Sequence, residues 1–478
     1  VIFPTVEFAA FFAVVLVVSW LVMPMPRVWK PFMIAASYFF YGYTDWRFCA
    51  LLGVATVGNQ VAARVIASAP STRRASGVVA AAVSADLVLL GVFKYLGFLE
   101  VSADSVLRAV GLGAALPLAN VALPIGISFF TFQAISYVVD VYRGVIRPAS
   151  NVDFALYLSF FPHLVAGPIV RGREFIPQLS PPRDPRRVAV GPAVFLILGG
   201  LFKKVVLADY LGTHLVDPVF ASPATHSGLD IAAAVYGYAV QIYCDFSAYT
   251  DMAIGLALLL GFRFPQNFDR PYASASLQDF WRRWHMTLSR WLRDYLYIPL
   301  GGSRRGSART YVNLMITMLL GGLWHGASWT FVIWGAIHGA GLAVERALRP
   351  WAARRDARLP ERTPRQARLW QALQVVLTFN VVCLAWVFFR SPDLAVAGQM
   401  LTGLARPGRA SVLTPAVTVA LVVGLATQLP AERWWAFVRG QYARLPLLLQ
   451  GVTAGIVIVV VFTLVDQQGV APFIYFRF

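Results

Sequence analysis

Charge is what this sequence has least of. Asp, Glu, Lys and Arg make up 13% of the 478 residues, about half the roughly 25% usual for soluble domains. Apolar residues make up 58%, and mean hydropathy is +0.63. A soluble globule of this size has no way to hide so much apolar surface, so the chain reads as a polytopic membrane protein. Acidic residues are scarcer still: 23 against 41 Lys and Arg, a net charge of +18. A nucleic-acid binder could carry such an excess, but here the arginines sit in short loops between apolar runs. That is the bias of cytoplasmic loops beside an anionic leaflet, and no nucleic-acid partner is expected. The three cysteines, Cys49, Cys244 and Cys383, stand far apart inside apolar stretches. They offer neither a disulfide framework nor a metal spacing. Also missing are a GxxxxGK[ST] phosphate loop, a G-x-S-x-G elbow and an HExxH pair, which leaves an ATP-driven pump, a serine hydrolase and a zinc protease without support.

What is present is a succession of apolar runs. A hydrocarbon core of roughly 30 Å needs about 20 apolar residues per helix. The candidates are 8–23, 32–48, 51–67, 77–98, 122–142, 188–207, 231–262, 312–344, 369–389, 412–429 and 448–465. The runs 231–262 and 312–344 are long enough to be bent or paired, so roughly eleven to thirteen membrane segments are expected. The run 154–170, broken by Pro162, Gly167 and Pro168, reads as short or re-entrant; such backbone survives at membrane depth only when buried in protein or lining a cavity. The first run lacks a basic flank and an A-x-A site, so it reads as a span and not as a signal peptide. Residues 171–187 carry five arginines and 346–368 carry eight, which makes both expected cytoplasmic loops. No linker separates domains, so 1–478 reads as one membrane domain.

Six histidines remain as candidate chemistry. His214 and His226 flank a polar loop and read as surface residues. His325 lies in GGLWHGAS (321–328), inside an otherwise apolar span. Small neighbours let helices approach closely or let the helix unwind, and an ionisable group at that depth is a functional candidate by default. The alternative is a neutral histidine bridging two helices. Trp324 and Ser328 flank it as possible site-lining groups, and His338, thirteen residues on in WGAIHG, stands open between a structural and a site-lining role. Asp245 and Asp251, in QIYCDFSAYTD, are costly at that depth; each is a candidate for lining the site, with a structural ion pair as the alternative.

His285 lies in DFWRRWHMTLSRWLRDY (279–295). Helical spacing puts Trp281, Trp284, Leu288, Trp291, Leu292 and Tyr295 on one side and the arginines largely on the other, which predicts an interfacial amphipathic helix over 281–295. His285 falls on the aromatic side. Arg282 and Arg283 are candidates for meeting anionic headgroups or the phosphates of a bound substrate.

The stretches QIYCDFSAYTDMAIG (241–255), FPQNFDRPY (264–272), DFWRRWHMTLSRWLRDYLYIPLGG (279–302) and NLMITMLLGGLWHGASWTFVIWGAIHG (313–339) resemble the membrane-bound O-acyltransferase family, in its alginate O-acetyltransferase and D-alanyl-transfer branch. LPIGISFFTFQAISYVVDVYRG (123–144), FFPHLVAGPIVR (160–171), LFKKVVLADY (201–210), AWVFFRS (385–391) and PFIYFRF (472–478) fit the same branch, with the motif-bearing core at about 120–345. The resemblance implies an all-α bundle around a central funnel or tunnel in the bacterial cytoplasmic (inner) membrane. A thioester donor, acetyl-CoA or an acyl carrier's phosphopantetheine, enters from the cytoplasm, and its acyl group passes to a hydroxyl on an exported or cell-surface polysaccharide or to a partner protein. The hallmark histidines map onto His325 and His285, and an extracytoplasmic SGNH-like partner is common in the branch. No bound cofactor or metal is implied.

Acyl transfer from a thioester needs a base near the attacking hydroxyl and donors for the oxyanion. Imidazole suits the first task, and no serine or cysteine beside His325 stands out as a covalent intermediate. The expectation is direct transfer, with His325 as base and His285 as an orienting or polarising partner. Two other classes stay open: a polysaccharide or lipid-linked sugar transporter working through Asp245 and Asp251, and a non-catalytic scaffold for a secreted acyltransferase.

Overall fold

A computed structural model describes residues 3, 5–112, 122–180, 182–358, 362–429, 432–464 and 473. Its regular structure is helical throughout, and the chain resolves into two compact units: Val1–Ile197 with Thr250–Pro265, and Leu198–Tyr249 with Gln266–Phe478.

The first unit holds α1 (Val6–Val22), α2 (Pro26–Gly42), α3 (Arg47–Ala67), α4 (Thr72–Ala109), α5 (Ile127–Tyr142), α6 (Asn151–Ser159), α7 (Phe161–Leu164), α8 (Gly172–Phe175) and the start of α9 (Val190–Phe202). Hydroxyl caps begin several of them: Thr5, Ser71 and Ser150 each accept from a backbone N–H three residues on, satisfying donors that a helix start leaves open. The apolar run 154–170 is broken where Pro162 and Gly167 predict. α6 stops at Ser159, α7 lasts one turn, and Gly167 takes a φ of 132° beside the Ala253 methyl. His163 is fully buried there, with Nε2 2.8 Å from the Tyr157 carbonyl.

The second unit continues through π-helical turns at Lys203–Asp209 and Gly212–Val216 into α10 (Asp217–Ala221) and α11 (Gly228–Leu259), whose last turns belong to the first unit. It then holds α12 (Leu277–Arg283), α13 (Met286–Leu292), α14 (Ser307–His325), α15 (Trp329–Asp356), α16 (Pro364–Arg390), α17 (Leu394–Gly403), α18 (Pro415–Ala426), α19 (Glu432–Arg444) and α20 (Leu447–Leu464). The run 312–344 is thus a helical hairpin, as its length suggested. Glycine sets its separation: a Cβ at Gly322 would lie 2.3 Å from the Phe331 carbonyl oxygen, and one at Gly335 would lie 2.4 Å from that of Met318. In a bilayer, where lipid tails are as apolar as leucine, such backbone approach is a main source of helix association.

Among the described residues, five stretches are long and apolar enough to cross a bilayer: Arg47–Ala67, Thr72–Ala109, Val190–Ala221, Trp329–Arg355 and Pro364–Arg390. The bent pair Arg433–Arg444 and Leu448–Val461 makes a sixth if it is one span. Four apolar helices are shorter, α1, α5, α17 and α18; at 1.5 Å per residue the 17 residues of α1 reach about 25 Å, short of a typical core. The chain is an all-α, multi-pass membrane protein. The arginine-rich stretch 346–368 is largely helical, since α15 runs on to Asp356 and α16 starts at Pro364. Ala and Arg are good helix formers, and a Thr363–Gln366 capping box with Pro364 in the first turn restarts the helix. The remainder of that stretch at 359–361, Val465 at the end of the last apolar run, and the terminal motif 472–478 other than Phe473 lie outside the described residues.

Candidate active site

His325 is the last residue of α14. Gly326 leaves the helix in an extended conformation (φ −161°), and a side chain there would meet the Phe331 ring at 2.0 Å. The glycine therefore lets the loop fold against an aromatic wall. His325 is 2% exposed and stands edge-on to three rings: Trp324 and Trp334 at 5.0 Å and Phe389 at 5.2 Å. Trp324 is 3% exposed and lies between the two candidate histidines, with its ring 5.0 Å from His325 and 6.0 Å from His285. Ser328 acts locally as the N-cap of α15, accepting from the Thr330 N–H.

His285 sits in a different kind of structure. The expected continuous helix over 281–295 is broken: α12 ends at Arg283, α13 begins at Met286, and a π-helical turn follows at Arg293–Tyr297. His285 itself adopts a left-handed conformation, φ 41°, which costs an L-residue roughly 1–2 kcal/mol. Periodicity could not reveal this break, because partners distant in sequence hold it. The Asp269 N–H donates to the Arg283 carbonyl and the Met286 N–H to the Asn267 carbonyl, both at 2.9 Å. The loop 266–270 thereby draws the chain out of the helix. The turn carries the imidazole fully inside, against Phe246 at 4.6 Å and Phe268 at 6.4 Å. Burial away from water holds its pKa well below the usual histidine range, at about 3, so the ring is neutral. Its Nδ1 lies 3.2 Å from Asn267 Oδ1, while Nε2 is buried with no hydrogen-bond partner among the described residues.

His338, on α15, is fully buried among rings. Phe280 stacks on it at 5.9 Å, with Trp281 and Trp334 at 5.2 and 4.8 Å. Trp334 thus touches both His325 and His338. Asp245 is 3% exposed and joins a buried cluster in which Lys204 Nζ lies 2.9 Å from its carboxylate and 2.7 Å from that of Asp209, the ion-pair arrangement that the sequence left open. Asp251 is half-buried and belongs to the first unit.

The two arginines singled out at 282–283 diverge. Arg283 is held by Asp279 at 3.0 Å and approaches Asp269 at 4.0 Å. Arg282 lines a cavity of about 490 Å³ together with Arg290, Arg293, Arg346 and Arg349, with Trp281 among its other walls. Five guanidinium groups around one opening suit phosphate, which arginine binds through paired N–H donors. Sequence reasoning missed this gathering, since α12, α13 and α15 contribute to it from positions up to 67 residues apart. It missed Asn267 too, an amide that stands in the aromatic stretch FPQNFDRPY without any local signal of its role. Among the described residues, no group of three His, Cys, Asp or Glu side chains is gathered as a metal site would require.

A sequence model of the membrane-bound O-acyltransferase family matches residues 80–388. A probable alginate O-acetylase of Azotobacter vinelandii is 43% identical over 375 residues, covering 78% of this chain and 72% of that protein. A peptidoglycan O-acetyltransferase of Helicobacter pylori is 36% identical, covering 79% and 73%. A teichoic acid D-alanyltransferase of Streptococcus thermophilus is 30% identical, covering 55% and 68%.

Proposed function

The chain belongs to the membrane-bound O-acyltransferase family, and from that premise we propose that it moves an acyl group, acetyl foremost, from a cytoplasmic thioester to a hydroxyl of an exported or cell-surface polysaccharide. The observation that carries the site assignment is the burial of His325 and His285 on either side of Trp324 in one unit. In this reading His325 takes the proton of the attacking hydroxyl and His285 orients the acceptor, in a water-poor aromatic surrounding where a positioned imidazole is effective. The names of the relatives, which act on alginate, peptidoglycan and teichoic acid, favour a saccharide-type acceptor.

The arginine-lined cavity supports a phosphate-bearing donor, either acetyl-CoA or a carrier protein's phosphopantetheine. His338, Trp324 and the groups around them line the site, and Arg282 reads as the donor-side arginine. The whole chain works as one domain of the bacterial cytoplasmic membrane, with 171–187 and 346–368 facing the cytoplasm by their arginine density, and an SGNH-like extracytoplasmic protein as the partner that receives or completes the transfer.

The test uses the full chain in lipid nanodiscs, supplied with acetyl-labelled CoA or carrier protein and an alginate-type oligosaccharide, with and without such a partner. Label should move to the saccharide or the partner with wild type and not with His325→Ala. Transfer from neither donor to either recipient, or undiminished transfer by His325→Ala, would remove the reading.

A further inference from the structure

The tautomer of His285 is written into its surroundings. Asn267 is fully buried, and its Oδ1 receives three groups: the Thr287 N–H at 3.1 Å, the Thr287 hydroxyl at 2.9 Å and His285 Nδ1 at 3.2 Å. A backbone N–H can only donate. The amide is therefore not free to flip, because turning Nδ2 toward Thr287 would set two donors against each other. With the oxygen fixed in place, the His285 nitrogen facing it must be the one that carries hydrogen. In a neutral imidazole the other nitrogen then bears the lone pair. That nitrogen, Nε2, is buried and has no hydrogen-bond partner among the described residues. The charged alternative would place a second N–H there, buried among Phe246, Phe268 and Trp324 with no acceptor for it among the described residues.

We propose that Asn267 is a positioning residue that locks His285 as the Nδ1–H tautomer, so that its Nε2 presents a lone pair to a hydroxyl of the acceptor and offers no hydrogen to the thioester carbonyl. This rests on the reading of His285 as part of the acyl-transfer site, and it decides between the two roles that the sequence left to this residue: orienting, not polarising. A saccharide carries several hydroxyls, so one can meet His285 while another faces His325. The left-handed backbone at His285 has the same origin. The Asn267 carbonyl takes the Met286 N–H while its side chain takes Thr287 and the imidazole, so one residue fixes both the turn and the ring that the turn carries.

The test is nitrogen-15 histidine labelling of the full chain in lipid, with the His285 signals assigned by their disappearance in His285→Gln. Wild type should show a protonated Nδ1 and a bare Nε2 for His285. A protonated Nε2 in the resting protein overturns the proposal without any further variant. Asn267→Asp, whose ionised carboxylate can only accept, should keep Nδ1 protonated. Asn267→Leu should shift the His285 signal toward the other tautomer and lower kcat on the order of 10–100-fold, the usual scale for losing a partner that orients a working histidine, with the donor KM little changed. An unchanged tautomer in Asn267→Leu, or a changed tautomer with unchanged kcat, also overturns it. Full activity of His285→Ala would instead defeat the site assignment while leaving the tautomer result standing, so the two failures are told apart.

Discussion

The two candidate histidines sit in different kinds of backbone. Around His325 the chain is a hairpin of regular helices, packed so closely that a Cβ at Gly322 or Gly335 would lie 2.3 or 2.4 Å from a carbonyl oxygen of the facing helix, and the rings of Trp324, Trp334 and Phe389 stand around the imidazole. Around His285 the helix is broken, the backbone is left-handed, and a buried amide holds the ring by one nitrogen. A fixed acceptor chooses which nitrogen of a neutral imidazole carries the proton, so the arrangement at His285 suits a ring that keeps one protonation pattern throughout the proposed reaction.

Removing His325 should therefore have the largest effect. His325→Ala is expected to abolish measurable transfer, with about 10²–10⁴-fold lost for a general base, while the protein still purifies and melts normally. His325→Gln sharpens the point: an amide can bridge two helices but cannot accept the proton, so it should be as inactive as alanine. An active glutamine variant would reduce His325 to a structural bridge. His285→Ala should come next, with a smaller loss in kcat than His325→Ala under the same assay. If it proves the more damaging of the two, the assigned roles must be exchanged.

The contrast also marks what the sequence could convey. The hairpin was legible because its signals are local: Gly321, Gly322 and Gly326 surround His325, and the apolar run was too long for one helix. The break at His285 was not, because 281–295 has good amphipathic spacing and the interruption depends on the Asn267 and Asp269 backbones, 14 to 19 residues upstream. The inward direction of His285 could be read from its neighbours; the cause of that direction could not. Asp245 shows the same limit, since its Lys204 partner lies 41 positions away across two irregular turns. The cavity arginines were visible singly as a basic surplus, yet only the fold brings Arg346 and Arg349 to Arg282.

Breaking the hairpin tests whether glycine sets its geometry. Gly335→Val places methyl groups where the Met318 backbone already stands, and overpacking of that kind costs about 1–3 kcal/mol. The melting temperature in detergent should fall, with activity falling only as the folded fraction does. Gly58→Val, on a helix of the first unit where nothing lies within 4 Å of the added Cβ, should melt close to wild type. Equal losses at both positions would mean that the close approach in the hairpin contributes nothing special.

The smallest effect on chemistry is expected at the arginines, and it separates two neighbours. Arg282 lines the basic cavity, whereas Arg283 is held by Asp279 and approaches Asp269. Arg282→Glu should raise the KM for a phosphate-bearing donor about tenfold, the low end of the 1.5–3 kcal/mol that a charged hydrogen bond contributes, and leave kcat and melting nearly unchanged. Arg283→Glu sets a third carboxylate beside Asp279 and Asp269, so its cost should appear in melting temperature, with the donor KM little affected. Raising the salt concentration should shrink the KM difference between wild type and Arg282→Glu, because charges at an open cavity are screened over about 10 Å at 0.1 M. If both substitutions move only the melting temperature, the five arginines are a surface-charge feature and the donor reaches the histidines by another route.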